Sequence, residues 1–226
     1  MLLIFGICLC LVVGVVLYAR LVFGDPGFTL ESKRKENGTF YTMKDLVQLR
    51  KPGVWCTICQ LIPTKPSKHC KLCNRCVYWM DHHCLYTMRC IGKRNYYTFV
   101  WFNFVLVAGL GQTLLLFPGY AEHLGYKHAW MELPSPLFYW CCLKYIFMNQ
   151  GLLFVVLMGM SLSFCNTLYL FYLTLSNISH GYTSYFRPPE GRRPYQSGLA
   201  YTDRLSNLTT FIRYGQIKIQ DPNFVI

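Results

Sequence analysis

Cys56-x2-Cys59-x9-His69-Cys70-x2-Cys73-x2-Cys76-x4-Asp81-His82-His83-Cys84-x5-Cys90 is the stretch that decides the fold of this chain. It holds seven of the 12 cysteines and three of the 6 histidines. Zinc is bound by four thiolate or imidazole ligands in a tetrahedron, and a Cys-x2-Cys pair supplies two of them from one turn. Six cysteines and two histidines would complete two such sites. The stretch therefore predicts a zinc-binding module with one cysteine and one histidine to spare.

The spare residues fall in the tetrapeptide Asp81-His82-His83-Cys84. The thiolate is the reactive form of cysteine, and a neighbouring imidazole lowers the pKa of the thiol. A histidine can also accept the thiol proton, while a carboxylate holds that imidazole in the useful tautomer. The tetrapeptide thus contains an orienting acid, a base and a nucleophile. Spacing alone leaves the alternative open that all these residues are metal ligands or support the ligands.

The whole run, with its spacing, resembles the cysteine-rich domain of the DHHC-type protein S-acyltransferases (palmitoyltransferases). The resemblance continues through Cys90-Ile91-Gly92-x2-Asn95 to Phe99, and it includes Asp25-Pro26-Gly27 just after an apolar segment. A long run of fixed spacing is far more specific than an isolated Cys-x2-Cys pair. The resemblance implies that Cys84 is a nucleophile and not a further ligand.

Spacing does not divide eight donors between two metals, but the resemblance implies two interleaved structural zinc sites. The first would use Cys56, Cys59, His69 and Cys76, and the second Cys70, Cys73, His83 and Cys90. Cys84 would carry the acyl group, with His82 as its base and Asp81 as the partner of His82. The implied donor is an acyl-CoA such as palmitoyl-CoA, and the implied acceptors are cytosolic cysteines of membrane-associated proteins.

Composition independently indicates a membrane protein. The chain is 53% apolar and only 14% charged, whereas soluble domains average about 25% charged residues. Its net charge of +12 suits a surface beside anionic lipid that also attracts the polyphosphate of coenzyme A. Nucleic acid is rejected as a partner because a membrane-held zinc module has poor access to it. Free cysteines for zinc indicate a reducing compartment.

Three segments are apolar and long enough to cross a bilayer as helices, namely residues 1–23, 97–118 and 151–175. About 20 apolar residues suffice for one crossing. A cleaved signal peptide is the alternative for the first segment. A retained anchor is favoured because no basic residue precedes the apolar run, which is also longer than the usual apolar core (h-region) of a signal peptide.

Basic residues set the expected orientation. Residues 24–96 hold 13 Lys or Arg and residues 176–226 hold six, but residues 117–150 hold only two. By the positive-inside rule, the two basic regions face the cytosol. The predicted fold is an α-helical integral membrane protein with three transmembrane helices and a cytosolic zinc domain between the first and second, in the Golgi or endoplasmic reticulum. The remaining segments are a cytosolic linker at 24–50, the zinc domain at 51–96, a luminal loop at 119–150 and a cytosolic tail at 176–226.

Four departures from the family pattern support a second hypothesis. Tyr86 replaces a tryptophan, Met88-Arg89 replaces Asn-Asn, and Ile178-Ser179-His180-Gly181 stands where the family has Thr-Thr-x-Glu. One span precedes the zinc domain where most members have two, so the acyl pocket would lack a wall unless an accessory subunit supplies it. The second hypothesis is a zinc-folded membrane adaptor with degenerate acyltransferase activity. An arginine at position 89 would also be placed to lower the pKa of Cys84.

Asn207 and Phe211 in the tail have a spacing that faintly resembles a C-terminal motif of the family. That motif would pack the tail back against the zinc domain. An ordinary amphipathic turn explains the same spacing, and it is the preferred interpretation.

Overall fold

The computed structural model describes residues 2–29, 56–59, 66–123, 151–185 and 201–215, together with single positions at 63, 136, 140 and 144. The elements in chain order are helix α1 (Leu2–Phe23), strands β1 (Ser67–Cys70), β2 (Arg75–Tyr78), β3 (His82–Cys84) and β4 (Arg89–Ile91), then helices α2 (Tyr96–His123), α3 (Gly151–His180) and α4 (Tyr201–Tyr214). Most of the predicted linker at 24–50 and loop at 119–150, and parts of the zinc domain and the tail, lie outside the described residues. The domain boundaries therefore stay predictions.

Three of the helices are long and apolar enough to cross a membrane, through Leu2–Phe23, Tyr96–Phe117 and Val155–His180. This confirms the predicted arrangement of three membrane helices with a cysteine- and histidine-rich module between the first and second. The third helix was expected to end at residue 175, but it continues to His180. It ends there because Gly181 adopts a left-handed φ of 73°, the conformation that commonly ends helices and that glycine adopts without strain.

The chain divides into two compact units, and every candidate site residue lies in the second of them. The first unit comprises Met1–Val15 and Phe102–Phe171, and the second comprises Val16–Trp101 and Tyr172–Ile226.

In the first unit, small residues bring α1 and α2 close together. A Cβ added to Gly109 on α2 would lie 3.3 Å from the Cys10 Cβ on α1, and one added to Gly14 would lie 3.7 Å from Val105. The Gln112 amide lies 3.8 Å from the Cys10 sulfur, within reach of a weak hydrogen bond. Small side chains allow such close approach between membrane helices, where dispersion contacts supply much of the attraction.

In the second unit, the zinc module consists of two antiparallel hairpins, β1–β2 and β3–β4. The turn of the first hairpin contains Asn74 at φ 51°, and the turn of the second contains Met88 at φ 50°. The buried apolar cluster of the module is small, and half of its members are cysteines that also belong to the predicted zinc sites: Cys70, Val77, Met80 and Cys90. So small a core is consistent with folding free energy that comes largely from bound metal.

The segment after α1 forms an extra edge on the first hairpin. The Gly27 carbonyl accepts a hydrogen bond of 2.8 Å from the Tyr78 N–H, and the Asp25 carboxylate accepts one of 2.9 Å from the Gly27 N–H. The backbone of Gly92 also lies close to this triplet, because an added Cβ would be only 2.6 Å from the Pro26 carbonyl oxygen. The Asp25-Pro26-Gly27 triplet therefore ends α1 and also fixes the zinc module to its end.

Arg89 makes a second attachment between α1 and the module. Its Nε donates a hydrogen bond of 2.8 Å to the Val22 carbonyl oxygen, near the end of α1. The last carbonyls of a helix lack partners within the helix, and the negative end of the helix dipole favours a cation there. The Tyr18 hydroxyl adds a hydrogen bond of 3.2 Å to the Tyr86 carbonyl oxygen. Arg89 thus has a structural role, and its suggested influence on Cys84 stays a prediction.

Candidate functional site

The first group of four candidate metal donors consists of His69 and three cysteines. Cys56 and Cys59 lie in a turn before β1, His69 lies on β1, and Cys76 faces it on β2 in register. The distances from the His69 Nδ1 to the three sulfurs are 3.5 Å for Cys56, 3.1 Å for Cys59 and 3.9 Å for Cys76.

A second group repeats this arrangement one hairpin further along the chain. Cys70 and Cys73 come from the end of β1 and the turn after it, while His83 and Cys90 pair in register on β3 and β4. The distances from the His83 Nδ1 to the sulfurs are 3.5 Å for Cys70, 3.3 Å for Cys73 and 3.6 Å for Cys90.

Both groups fit a tetrahedral zinc ion. In each of them the four ligand atoms lie within 4.8 Å of one another. Zinc–sulfur bonds of about 2.3 Å and zinc–nitrogen bonds of about 2.0 Å would place two sulfurs about 3.8 Å apart, and a sulfur and a nitrogen about 3.5 Å apart. The Cys59 and Cys76 sulfurs are 3.8 Å apart, and the Cys73 and Cys90 sulfurs are 3.5 Å apart. The donors therefore fit two zinc ions, and the role of each residue as a ligand stays a prediction.

Cys84 belongs to neither donor group, although His83 beside it does. The reason is strand alternation: successive side chains on β3 point to opposite faces. His83 therefore lies on the face of the second metal group, and His82 and Cys84 share the other face. The Cys84 side chain is buried with 5% exposure at the end of β3. The spare thiol and the spare imidazole thus lie together, on the face of β3 opposite to His83.

Asp81 is positioned to orient His82. The His82 Nδ1 lies 2.7 Å from the Asp81 Oδ2, and the Asp81 side chain is only 5% exposed. The second carboxylate oxygen of Asp81 accepts a hydrogen bond of 2.6 Å from the Ser184 N–H. The His82 ring also packs edge-on against Phe99, with ring centroids 5.2 Å apart. With Nδ1 held by the carboxylate, Nε2 is the nitrogen left for exchanging a proton with the thiol.

The electrostatics of the site favour a thiolate paired with an imidazolium. Burial alone lowers the pKa of His82, but the hydrogen bond and charge of Asp81, with a smaller contribution from Cys84, raise that pKa to about 9. Burial alone raises the pKa of Cys84, but His82 and the turn that contains Thr87 lower it to about 7. A thiol in such surroundings can act as a nucleophile near neutral pH.

A family profile described as DHHC palmitoyltransferase matches residues 50–187, which is more than half of the chain. The chain belongs to the DHHC palmitoyltransferase family. This confirms the family recognised from the sequence, and together with the three membrane helices it makes the chain an integral membrane protein.

Several curated relatives are similar in sequence to parts of this DHHC chain. "Probable protein S-acyltransferase 12" of Arabidopsis thaliana is 32% identical over 111 residues, which cover 46% of this chain and 38% of the relative. "Palmitoyltransferase SWF1" of Saccharomyces cerevisiae is 47% identical over 51 residues, 23% of this chain and 15% of the relative. "Palmitoyltransferase ZDHHC13" of Homo sapiens is 34% identical over 82 residues, 36% of this chain and 13% of the relative. The chain thus matches well under half of the length of each of these relatives.

Two contacts of the candidate site were not predicted from the sequence, because they come from the segment after α3. The Thr183 hydroxyl donates a hydrogen bond of 2.9 Å to the Met80 carbonyl oxygen, and the Ser184 N–H is the donor to Asp81. The Asn177 amide donates a hydrogen bond of 2.8 Å to the Ser184 hydroxyl. The region compared with the family's Thr-Thr-x-Glu motif ended at Gly181. The Thr183-Ser184 pair, which lies shortly after Gly181, was the sequence feature that could have revealed these contacts.

The preferred interpretation of Asn207 and Phe211 as an ordinary amphipathic turn was wrong. Both residues lie on α4, and the side chain of each is only 2% exposed. The Asn207 amide donates a hydrogen bond of 2.9 Å to the Ser179 carbonyl oxygen at the end of α3, and the Phe211 ring lies 5.5 Å from the Tyr97 ring at the start of α2. Residues four apart share one helix face. That face of α4 therefore packs against the end of α3 and the start of α2.

Proposed function

We propose that this chain is a protein S-acyltransferase that moves a long-chain fatty acyl group from acyl-CoA, through an acyl-enzyme on Cys84, to cysteines of membrane-associated proteins. One observation carries the proposal. Cys84 lies outside both donor groups and shares a strand face with His82, whose Nδ1 is held by Asp81.

Three residues have distinct roles in the proposed reaction. The Cys84 thiolate attacks the thioester carbon of acyl-CoA, and His82 holds the proton that Cys84 has lost. That proton goes to the departing coenzyme A thiolate. The acceptor thiol then gives its proton to His82 and takes the acyl group, and Cys84 leaves as a thiolate. Asp81 keeps His82 in the tautomer that exchanges its proton at Nε2.

The two zinc ions would be structural and would be held by the two donor groups. They would fix the hairpins that carry Asp81, His82 and Cys84. The basic residues of the zinc domain and the tail would face the cytosol and would attract the phosphates of coenzyme A. A Golgi or endoplasmic reticulum membrane, and an accessory subunit that completes the acyl pocket, belong to the same proposal.

A purified sample in lipid nanodiscs tests the proposal. With palmitoyl-CoA that carries an alkyne-tagged chain, we expect a label on the protein that neutral hydroxylamine removes, followed by transfer of the label to an added cysteine-containing peptide. Hydroxylamine lability identifies a thioester. A zinc-loaded protein that forms no such label would instead be the catalytically degenerate adaptor suggested by Tyr86 and Met88-Arg89.

Replacing Asp81 with asparagine is expected to slow acyl-enzyme formation by roughly 10³- to 10⁴-fold, the size of effect seen when an orienting aspartate of a catalytic triad becomes an amide. The amide nitrogen of asparagine can turn towards the His82 Nδ1, which then accepts a hydrogen bond and carries the wrong tautomer. Single-turnover labelling measures the rate. Ser184→Ala is the matched control, because the donor to Asp81 is the backbone N–H of Ser184, and this variant should acylate at nearly the normal rate. Equal rates in Asp81→Asn and the unmodified protein would contradict the role of Asp81.

A further inference from the structure

The turn between β3 and β4 presents three large apolar side chains to the outside of the molecule. Leu85, Tyr86 and Met88 are 70%, 71% and 70% exposed, and together they are called the hairpin tip here. Single exposed apolar residues are ordinary on a protein surface, but several neighbouring ones mark a contact with another molecule or with a membrane. The proposed roles of His82 and Cys84 do not need an apolar turn. The hairpin tip is therefore a candidate interaction surface.

The hairpin tip lies beside the last turns of α1. The Tyr86 carbonyl oxygen accepts a hydrogen bond of 3.2 Å from the Tyr18 hydroxyl. Arg89, directly after the tip, donates one of 2.8 Å to the Val22 carbonyl oxygen. Tyr18 lies five residues before the end of α1, which corresponds to roughly 7.5 Å along the helix axis. Because α1 is long and apolar enough to cross a membrane, the tip lies beside a part of this helix that lipid surrounds.

The residues around this end of α1 are typical of a membrane interface. Tyr97 and Trp101, in the first two turns of α2, are each 37% exposed, and both residue types are enriched where a membrane meets water. Arg20 is exposed in the last turn of α1, from where a long basic side chain reaches lipid phosphates. Asp25 and Arg94 form an exposed ion pair just beyond the helix. The end of α1 therefore lies at the boundary between lipid and water, and the hairpin tip lies on the lipid side of it.

We propose that the hairpin tip inserts into the lipid bilayer beside α1, with its three side chains among the acyl chains next to the headgroups. A turn is tolerated in lipid only where its backbone polar groups have partners, and Tyr18 supplies one to the Tyr86 carbonyl. Arg89 binds the backbone of α1 where the apolar turn ends. Met88 stands where the family pattern has an asparagine, and an apolar side chain in place of an amide suits contact with lipid.

The inserted tip fixes the depth of the candidate nucleophile. Cys84 directly precedes Leu85, so lipid contact at the tip holds the thiol next to the bilayer. This consequence rests on the proposed function, because only an acyl carrier has to meet the thioester of an acyl-CoA whose chain lies in the membrane. The insertion itself involves no acyl transfer, and it is therefore testable on its own.

Photocrosslinking in nanodiscs of phosphatidylcholine tests the insertion. The photoreactive residue p-benzoylphenylalanine replaces Met88 in one protein, Val12 in a second and Leu72 in a third, and mass spectrometry measures the yield of lipid adduct. Val12 is 63% exposed within the membrane-crossing part of α1, so it gives the yield of a side chain in lipid. Leu72 is 70% exposed in the turn of the β1–β2 hairpin, at the far end from Tyr78, which is bonded to the segment after α1. It gives the yield of an apolar side chain in water.

We expect the yield at position 88 to be close to that at position 12. It should exceed the yield at position 72 by about 10-fold or more, the factor by which moving one large apolar side chain from water to lipid changes an equilibrium. A yield nearer to that of position 72 overturns the proposal. Cross-links from position 88 to a second copy of the chain, in place of lipid, also overturn it.

Two further measurements keep the outcomes separate. Zinc content is determined for each protein, and if replacement of Met88 lowers it, the equally exposed Leu85 takes its place in the same comparison. Hydroxylamine-labile labelling that persists in Cys84→Ser would overturn the proposed function. The insertion of the hairpin tip would still stand in that case, because lipid cross-linking does not depend on the nucleophile.

Discussion

Replacing Cys84 with serine is expected to abolish the hydroxylamine-labile acyl-enzyme and to reduce transfer to an acceptor thiol by at least about 10³-fold, as for loss of the nucleophile in other covalent enzymes. A serine hydroxyl is far less acidic than a thiol. His82 can draw the Cys84 thiol towards the thiolate near neutral pH, but it cannot do so for a hydroxyl. An oxyester formed by slow attack would also resist neutral hydroxylamine. Gel fluorescence after labelling with an alkyne-tagged palmitoyl-CoA measures the effect.

Cys165→Ser is the matched control for this experiment. Cys165 is an exposed thiol on α3, outside both metal groups, so its loss should leave the label and the transfer rate unchanged. Cys84→Ser should also keep its zinc, because Cys84 belongs to neither donor group. A label that persists in Cys84→Ser and disappears in Cys165→Ser would move the acyl group to α3 and would reject the assignment of the nucleophile.

Much of the fold and the site could be predicted because single residue types carry specific chemistry. Uninterrupted apolar runs predicted α1, α2 and α3, since about 20 apolar residues form a helix that is long enough to cross a bilayer. Spacing predicted zinc, but it did not divide the donors. The division depends on the β1–β2 hairpin, whose residues His69 and Cys70 are adjacent in sequence and yet belong to different groups. Strand alternation explains this as well, but only once the strands are known.

The remaining features depend on contacts between distant parts of the chain, which a single sequence does not reveal. The donor to Asp81 is a backbone N–H at Ser184, and any residue other than proline can supply that group. Arg89 donates a hydrogen bond to the Val22 carbonyl oxygen, which is also a backbone group and lies 67 residues away in the sequence. The end of α3 was predicted too early because Ser176 to His180 looked polar enough to leave a membrane. Leaving the membrane does not end a helix, and Gly181 does.

Replacing Cys90 with serine is expected to remove both zinc ions in large part and to reduce acylation to the background of Cys84→Ser. Cys90 is fully buried and pairs in register with His83, so it holds the β3–β4 hairpin closed next to Cys84. Cys70 and Cys73 of the same group lie on the β1–β2 hairpin, which also supplies His69 and Cys76 to the other group. Zinc modules of this size draw about 10 kcal/mol or more of their folding free energy from each metal. The donors of the second group lie on both hairpins. Opening this group therefore also loosens the β1–β2 hairpin, which the first group needs.

Metal analysis and limited proteolysis distinguish this coupled loss from a purely local one. Cys56→Ser is the informative comparison, because Cys56 lies in the turn before β1 and contributes to the first group alone. It should lose about one equivalent of zinc and should keep a protease-resistant β3–β4 hairpin, because Cys56 lies outside both hairpins and its substitution leaves all four strands and every donor of the second group in place. Cys90→Ser should lose more than one equivalent and become cleavable within residues 66–92. If Cys90→Ser lost a single equivalent and Cys56→Ser lost two, the first group would be the one that holds the module together. If Cys90→Ser retained both ions and acylated normally, the sulfur of Cys90 would not be a zinc ligand.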